Sequence, residues 1–317
     1  MIMKYGYLTV IIVFLFVVFY APAAQALSVA KIVVKVMDEA GAPVNNAHLN
    51  IRFSSDSGTV IGFTDDNGIF EVKAISNDGV ILGDITKDGY YESGLAHSFY
   101  VTRFGMWQPW GKELTVVMRP IVNPVPMYVR NHSFKVPVKG EEVGFDLEKA
   151  DWVIPYGQGT KADFVFRIDQ RYDDGNNFDC RLTLTFSNPL DGIQVINDDG
   201  GGDFNVGSRY HLPRTAPEIG YLSKLQKRNS TGTPGYVLDM KDDNNYIFRV
   251  RSEVDENGKL KRAMYGKIRG DLWYTPGDGG KISLHYFLNP DYTRNLEFDP
   301  KRNLFIILSG SENVRQP

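Results

Sequence analysis

The stretch Ile32-Val33-Val34-Lys35-Val36-Met37-Asp38-Glu39-Ala40-Gly41-Ala42-Pro43-Val44-Asn45-Asn46-Ala47-His48-Leu49-Asn50-Ile51-Arg52-Phe53 decides the fold class. Ile32, Val34 and Val36 recur at every second residue, and so do Leu49, Ile51 and Phe53. A period of two lines one face of a pleated strand; a helix needs spacings of three and four. Between the runs, Asp38-Glu39-Ala40-Gly41 offers residues that tolerate the backbone of a tight turn. The same unit repeats outward. Ile61 and Phe63 alternate, then Phe70 and Val72, then Leu114, Val116 and Met118, separated by Asp65-Asp66-Asn67-Gly68, Asn77-Asp78-Gly79 and Asp88-Gly89. Asn-Gly and Asp-Gly supply the positive φ of hairpin turns. About seven short strands with no helical pattern predict a small seven-stranded β-sandwich.

Three landmarks carry a resemblance. Val36 to Leu49 resembles the opening of carboxypeptidase-regulatory-like domains, also described as prealbumin-like: a strand, an acidic-Gly turn, Pro-Val and a second strand. Thr64-Asp65-Asp66-Asn67-Gly68-Ile69-Phe70 is similar to the family's Thr-Asp-x-x-Gly-x-Phe hairpin, and Lys87-Asp88-Gly89-Tyr90-Tyr91 to its Gly-Tyr landmark. The resemblance covers residues 29–119. It implies a seven-stranded sandwich without catalytic residues of its own, a module found fused to many exported proteins. The segment from Gly94 to Gly111 departs from the pattern, being longer and aromatic-rich, with Trp107-Gln108-Pro109-Trp110.

Pro120 to Pro126 holds three prolines in seven residues, which favours extended backbone, so residues 120–127 read as a linker between domains at 27–119 and 128–317. The second half alternates again: Phe164, Phe166 and Ile168; Leu182, Leu184 and Phe186; Tyr246, Phe248 and Val250. Asp255-Glu256-Asn257-Gly258 and Thr275 to Gly280 read as hairpin turns, and Leu304 to Leu308 as a terminal strand. Thr215-x-x-Glu218 is a capping box, and Ile219, Leu222 and Leu225 follow at spacings of three, which predicts one short helix. The whole is all-β: the small sandwich, then a larger β-sandwich or open barrel with that helix.

The N-terminus reads as an export signal. Lys4 precedes an apolar run from Leu8 to Ala21, and Ala24 and Ala26 give a small-x-small cleavage pattern. A run of about 14 residues reaches only about 21 Å as a helix, short of a hydrocarbon core of about 30 Å. Cleavage after Ala26 fits better than retention as an anchor. No later apolar run has membrane length, so a periplasmic or extracellular protein without a membrane span is expected. Net charge is −3 and the densest basic run, Lys224 to Arg228, reads as a solvated helix face, so there is no footprint for nucleic acid. One cysteine, Cys180, excludes an intrachain disulfide and lies in an alternating stretch as a small core residue. The sequence carries no signal for oligomeric state.

Several side-chain sets bear on function. Calcium is one reading of Asn197 to Asp203, where Asp198, Asp199 and Asp203 offer oxygens and three glycines let the backbone wrap an ion. Turn geometry is the competing reading, shared by Asp173 to Asn177 and Asp242 to Asn245. No other cofactor is implied. His48, His97, His132, His211 and His285 share no metal-ligand spacing, and no Gly-x-Ser-x-Gly or P-loop pattern occurs. Glu142, Glu253 and Glu297 would serve a glycosidase only if the fold set two of them about 5–10 Å apart. The aromatics are the binding candidates: Trp273 and Tyr286 flank the Pro276-Gly277 turn, and Trp107 and Trp110 lie in the aromatic-rich segment. Exposed rings stack on sugars and anchor interfaces. The leading reading is an exported, non-enzymatic protein that binds a glycan or an envelope protein, adheres, or builds envelope structure. The alternative is a glycan-active hydrolase with an accessory sandwich.

Overall fold

The computed structural model describes residues 28–54, 58–197, 206–232, 235–241, 243–277, 280–314 and residue 316. The export signal and Asp198, Asp199 and Asp203 lie outside the described residues.

Nine strands form the first half: β1 (Ser28–Asp38), β2 (His48–Arg52), β3 (Thr59–Phe63), β4 (Ile69–Ser76), β5 (Val80–Thr86), β6 (Ser93–Ser98), β7 (Val101–Arg103), β8 (Met106–Gln108) and β9 (Lys112–Met118). One sheet runs β4-β1-β8-β7 with β9 also on β1; the facing sheet runs β6-β5-β2-β3. The five alternating runs fall on β1, β2, β3, β4 and β9, and β5 and β6 complete the count of seven. The added pair is the β7–β8 hairpin, inside the aromatic-rich segment. Alternation sends Ile32, Val34, Val36, Leu49, Ile51 and Phe53 into the core between the sheets, where all are buried. Ile61 and Phe63 alternate as expected but point outward on edge strand β3, because Val60 is the member that packs against the core.

The Thr64 hairpin shows why its residue types are needed. The Thr64 hydroxyl donates to Val44 O at 2.7 Å and accepts from Ala47 N at 2.9 Å, tying two turns together. Asp65 Oδ1 accepts from the backbone N–H groups of Asn67 and Ile69. Gly68 adopts φ 73°, and a Cβ there would lie 2.3 Å from Val36 O, so no other residue fits.

The second half holds β10 (Val125–Lys135), β11 (Glu142–Asp146), β12 (Asp151–Trp152), β13 (Phe164–Asp174), β14 (Asn177–Thr185), β15 (Gly192–Asn197), β16 (Gly207–Ser208), β17 (Lys224–Thr231), β18 (Val237–Leu238), β19 (Asn244–Val254), β20 (Leu260–Ile268), β21 (Trp273–Thr275), β22 (Lys281–Asn289) and β23 (Phe298–Asn303). Two open sheets, β12-β11-β13-β14-β17-β18 and β15-β19-β20-β22-β10-β23 with β21 on β22, pack face to face. This is a sandwich and not a barrel. β16 leaves it to pair with β6, extending a sheet of the first sandwich. β10 starts at Val125, inside the proline-rich stretch, and its pairing with β23 shifts register between Val125 and Met127, where Pro126 has no N–H to give.

The expected helix is absent: the described residues contain no helix. Its backbone groups are taken by distant partners. Ala216 N donates to Arg294 O, and Ile193 and Leu222 exchange both N–H···O bonds. Gly220 at φ 96° then breaks any helical run. Lys224 to Arg228 is therefore strand β17, not a solvated helix face, and Lys227 is buried. Leu304 to Leu308 is a loop. Phe305 packs its ring against Tyr128 and Tyr286, which leaves Ile306 and Ile307 facing solvent.

Candidate functional site: an aromatic hairpin and an arginine-filled cleft

The four aromatic candidates do not form one platform. Tyr286 is fully buried, and its hydroxyl donates to Leu147 O at 2.7 Å. Its neighbour Phe287 is buried too. β22 has both faces covered, by the main core on one side and by Met127, Val129, Phe298 and Val314 on the other. On a strand covered on both faces, neither of two adjacent residues need face water. Trp273 is 38% exposed on β21, while Tyr274 turns inward and donates to Gln170 Oε1 at 2.7 Å. Trp107 is half-buried; its Nε1 donates to Ser76 O at 2.8 Å and its ring stacks on Phe99. Trp107 is an anchor. Trp110 is 41% exposed.

What Trp107 anchors is the β7–β8 hairpin. Val101 pairs with Gln108, Thr102 with Trp107 and Arg103 with Met106, leaving Phe104 and Gly105 as a two-residue loop. Both have positive φ, 52° and 72°, the backbone of a type I′ turn. Asn-Gly is the unstrained choice there. A bulky aromatic at the first position costs about 1–2 kcal/mol. Phe104 is nevertheless there and is 84% exposed, so it recovers nothing by burial. Tyr100, at the base of the same hairpin, is 89% exposed, and Val101 is exposed as well. The Arg103 guanidinium lies 5.2 Å from the Phe104 ring centroid. Gly105 O accepts from Val29 N at 2.9 Å and fixes the tip to β1. Sequence reading reached the segment through its tryptophans but missed Tyr100 and Phe104. The available signal was Phe-Gly between two short alternating runs.

A second site surrounds Arg251. The pairing of β19 with β20 shifts register between Val250 and Glu253, and Arg251 takes φ 54° in this bulge. The bulge re-aims its side chain. Arg251 Nε donates to Asp163 Oδ1 at 2.7 Å, Nη2 to Asp163 Oδ2 at 2.9 Å and to Asp146 Oδ1 at 3.1 Å, and Nη1 to Glu148 Oε2. The Asp191 carboxylate caps the bulge, accepting from Arg251 N at 2.9 Å and Ser252 N at 3.0 Å. Beside these groups lies a cleft of about 380 Å³, lined in part by Lys161, Asp163, Asn188, Asp191 and Tyr292.

Burial raises the Asp163 carboxyl, although Arg251 and Leu147 N pull it back. Burial also raises Asp191. Asp146 is different: burial would raise it, but the N–H groups of Thr160 and Lys161, with Arg251, outweigh this and hold it low. The guanidinium occupies the place a cation would take among these oxygens. Among the described residues, no group of three or more His, Cys, Asp or Glu side chains is arranged to hold a metal ion.

The glutamates of the glycosidase reading are each held elsewhere. Glu253 is paired with Arg262 at the surface, Glu297 is buried against Tyr91, and Glu142 is exposed at the start of β11. His285 is half-buried on β22, and Cys180 is a core residue whose thiol is pushed up to about 12 by burial and by Asp179. A nucleophilic thiol needs the opposite shift.

No family model matches the chain, and no curated protein matches it. Among solved structures, 3-chlorocatechol 1,2-dioxygenase from Rhodococcus opacus matches at 11% identity and TM-score 0.25, over 31% of this chain and 62% of that one. The chain likewise spans 62% of chlorocatechol 1,2-dioxygenase from Pseudomonas putida. A DUF3823 family protein from Parabacteroides merdae matches at 9% identity and TM-score 0.22, over 86% and 99%. BcpA, the major pilin subunit of Bacillus cereus, matches at 11% and 0.22, over 81% and 95%. Scores of this size carry no functional argument.

Proposed function

We propose that this chain is an exported, non-catalytic binding protein that holds a glycan on the tip of the β7–β8 hairpin. The first sandwich, residues 27–119, is taken as a carboxypeptidase-regulatory-like module, joined through residues 120–127 to a second domain at 128–317. Residues 1–26 direct export to the periplasm or the exterior. The observation that carries the reading is Phe104: a strained, exposed aromatic where an unstrained residue was available. Strain kept at an exposed position supports a functional use. Rings of Phe104 and Tyr100 offer flat apolar faces to the C–H faces of a sugar, and Arg103 offers donors to its hydroxyls.

The test separates binding from folding. Phe104→Asn removes the ring and relieves the turn, so the variant is expected to melt at or above the parent temperature. It is also expected to lose most retention on cell-wall polysaccharide, as is Tyr100→Ser. Parent-like retention of both variants sinks the reading; retention on envelope protein instead of polysaccharide moves the partner class. A second reading, hydrolysis in the Arg251 cleft, rests on Asp163 and Asp191 both lining it with raised carboxyls. Release of reducing ends that Asp163→Asn abolishes would favour it. Against it, Asp163 is held by both of its oxygens to Arg251, and Asp191 is occupied by two backbone N–H groups.

A further inference from the structure

A buried polar knot joins the two sheets of the larger sandwich at one end of β19. Lys227 lies on β17 in one sheet, Asn244 opens β19 in the other, and Asp271 follows β20. All three are buried. Lys227 Nζ donates to Asp271 Oδ2 at 2.9 Å, and Asn244 Nδ2 donates to the same oxygen at 2.8 Å. Backbone N–H groups of Lys241 and Leu272 fix the carboxylate, and the Tyr246 hydroxyl donates to its Oδ1. The Tyr246 ring centroid lies 5.6 Å from Nζ. An amine, a primary carboxamide and a carboxylate thus share one oxygen, away from water.

We propose that Lys227 and Asn244 become joined by an isopeptide bond in the folded chain, with Asp271 carrying the proton. Asp271 Oδ2 takes a proton from the Lys227 ammonium and leaves a neutral amine. The amide carbon of Asn244 is one bond from the Nδ2 that already shares Oδ2 with the amine. Lys227 Nζ also donates to Asp239 O at 3.2 Å, and the step requires its tip to leave both oxygens for Cγ. The Nζ lone pair then forms the Nζ–Cγ bond, and the carbonyl π pair moves to Oδ1. A proton passes from Nζ to Nδ2, the pair returns from Oδ1, the Cγ–Nδ2 bond breaks and ammonia leaves. An ammonium, a carboxamide and a carboxylate become a secondary amide, ammonia and a neutral carboxyl on Asp271. Atoms, protons and charge balance without an oxidant or co-reactant.

Three physical terms favour the step. The fold holds the reactants together, which replaces a bimolecular encounter with an intramolecular one. Burial keeps out the water that would otherwise hydrolyse the intermediate. The product removes a buried ion pair, whose desolvation is costly. The bond would tie the two facing sheets covalently in a chain whose single cysteine allows no intrachain disulfide.

Mass spectrometry of the purified full chain decides. The expected intact mass is one ammonia below that calculated for the same span of sequence, with or without residues 1–26, and a digest yields a branched peptide joining Lys227 to Asn244. Asn-Gly sites such as Asn67-Gly68 and Asn257-Gly258 can also lose ammonia by cyclising, so the branched peptide is the decisive species. Lys227→Arg and Asp271→Asn are expected to restore the full mass. A folded parent chain of full mass, or one lighter by ammonia without the branched peptide, overturns the crosslink. A folded Asp271→Asn chain that still carries it overturns the role of Asp271.

Discussion

His285 concentrates the electrostatics of the core in one side chain. It lies on β22 opposite Asn131 and stacks on Phe287, and its Nε2 has no hydrogen-bond partner among the described residues. Burial, then the positive charges of Arg269 and Lys267, push its imidazole down to about 3. The folded state therefore binds fewer protons than the unfolded state, whose imidazole titrates near the ordinary 6.5. The stabilisation is present above that value and is lost as pH falls from about 6.5 toward 3, at up to about 1.4 kcal/mol per pH unit. Lys267, buried between the rings of Tyr210 and Phe287, is also pushed well below its usual value, so it adds slope of the same sign at higher pH. Urea melts between pH 7 and pH 4 are expected to show His285→Gln losing less stability than the parent. Parallel loss in the two proteins would assign the acid sensitivity to another group. None of this was legible in the sequence, where His285 looked like an ordinary strand histidine; the covering of both faces of β22 is a tertiary fact.

At the scale of elements, the division between legible and hidden follows the distance over which each device acts. Asp38, Asp65 and Asp255 each accept from backbone N–H groups two and four residues ahead, so their turns are written within five residues and were read correctly. The Arg251 bulge depends on Asp191, which lies sixty residues upstream, and its guanidinium answers to Asp146 at the end of β11 and to Glu148 and Asp163 in the loops that follow. No local pattern announces it. The capping box at Thr215 misled for the same reason: partners far along the chain took its backbone groups. Asp191→Ala tests the bulge. It leaves the N–H groups of Arg251 and Ser252 without their carboxylate, at about 1–3 kcal/mol for each one left buried and unsatisfied. Urea unfolding is expected to show a loss of that order. A loss under about 0.5 kcal/mol, the size of an ordinary surface change, would show that the bulge does not need its cap.

For the whole molecule, the question is how two separate cores are held to one another. The tie is polar and runs through Glu297. Its carboxylate accepts from the Tyr91 hydroxyl at 2.8 Å and from the backbone N–H groups of Val122 and Asn123 at 2.9 and 2.8 Å. The proline-rich stretch is therefore docked, where composition alone predicted a semi-rigid tether. Around it, Tyr91 stacks on Tyr210, Arg119 donates to Tyr210 O and Leu212 O, and Glu39 pairs with Arg119 and Arg214. Tyr91 closes the Lys87-Asp88-Gly89-Tyr90-Tyr91 stretch that the sequence singles out, while its partner, 206 residues further on, was unreadable. Glu297→Ala orphans the Tyr91 hydroxyl and two backbone donors at once, while touching neither hydrophobic core. Since each core is a contiguous cluster of its own, the loss falls on the coupling and not on either sandwich. Calorimetry of the variant is expected to resolve two transitions where the parent gives one, and limited proteolysis to cut faster between residues 119 and 126. A variant that keeps a single, merely lowered transition and the parent's cleavage pattern would mean that β16 pairing with β6 couples the two sandwiches without help from Glu297.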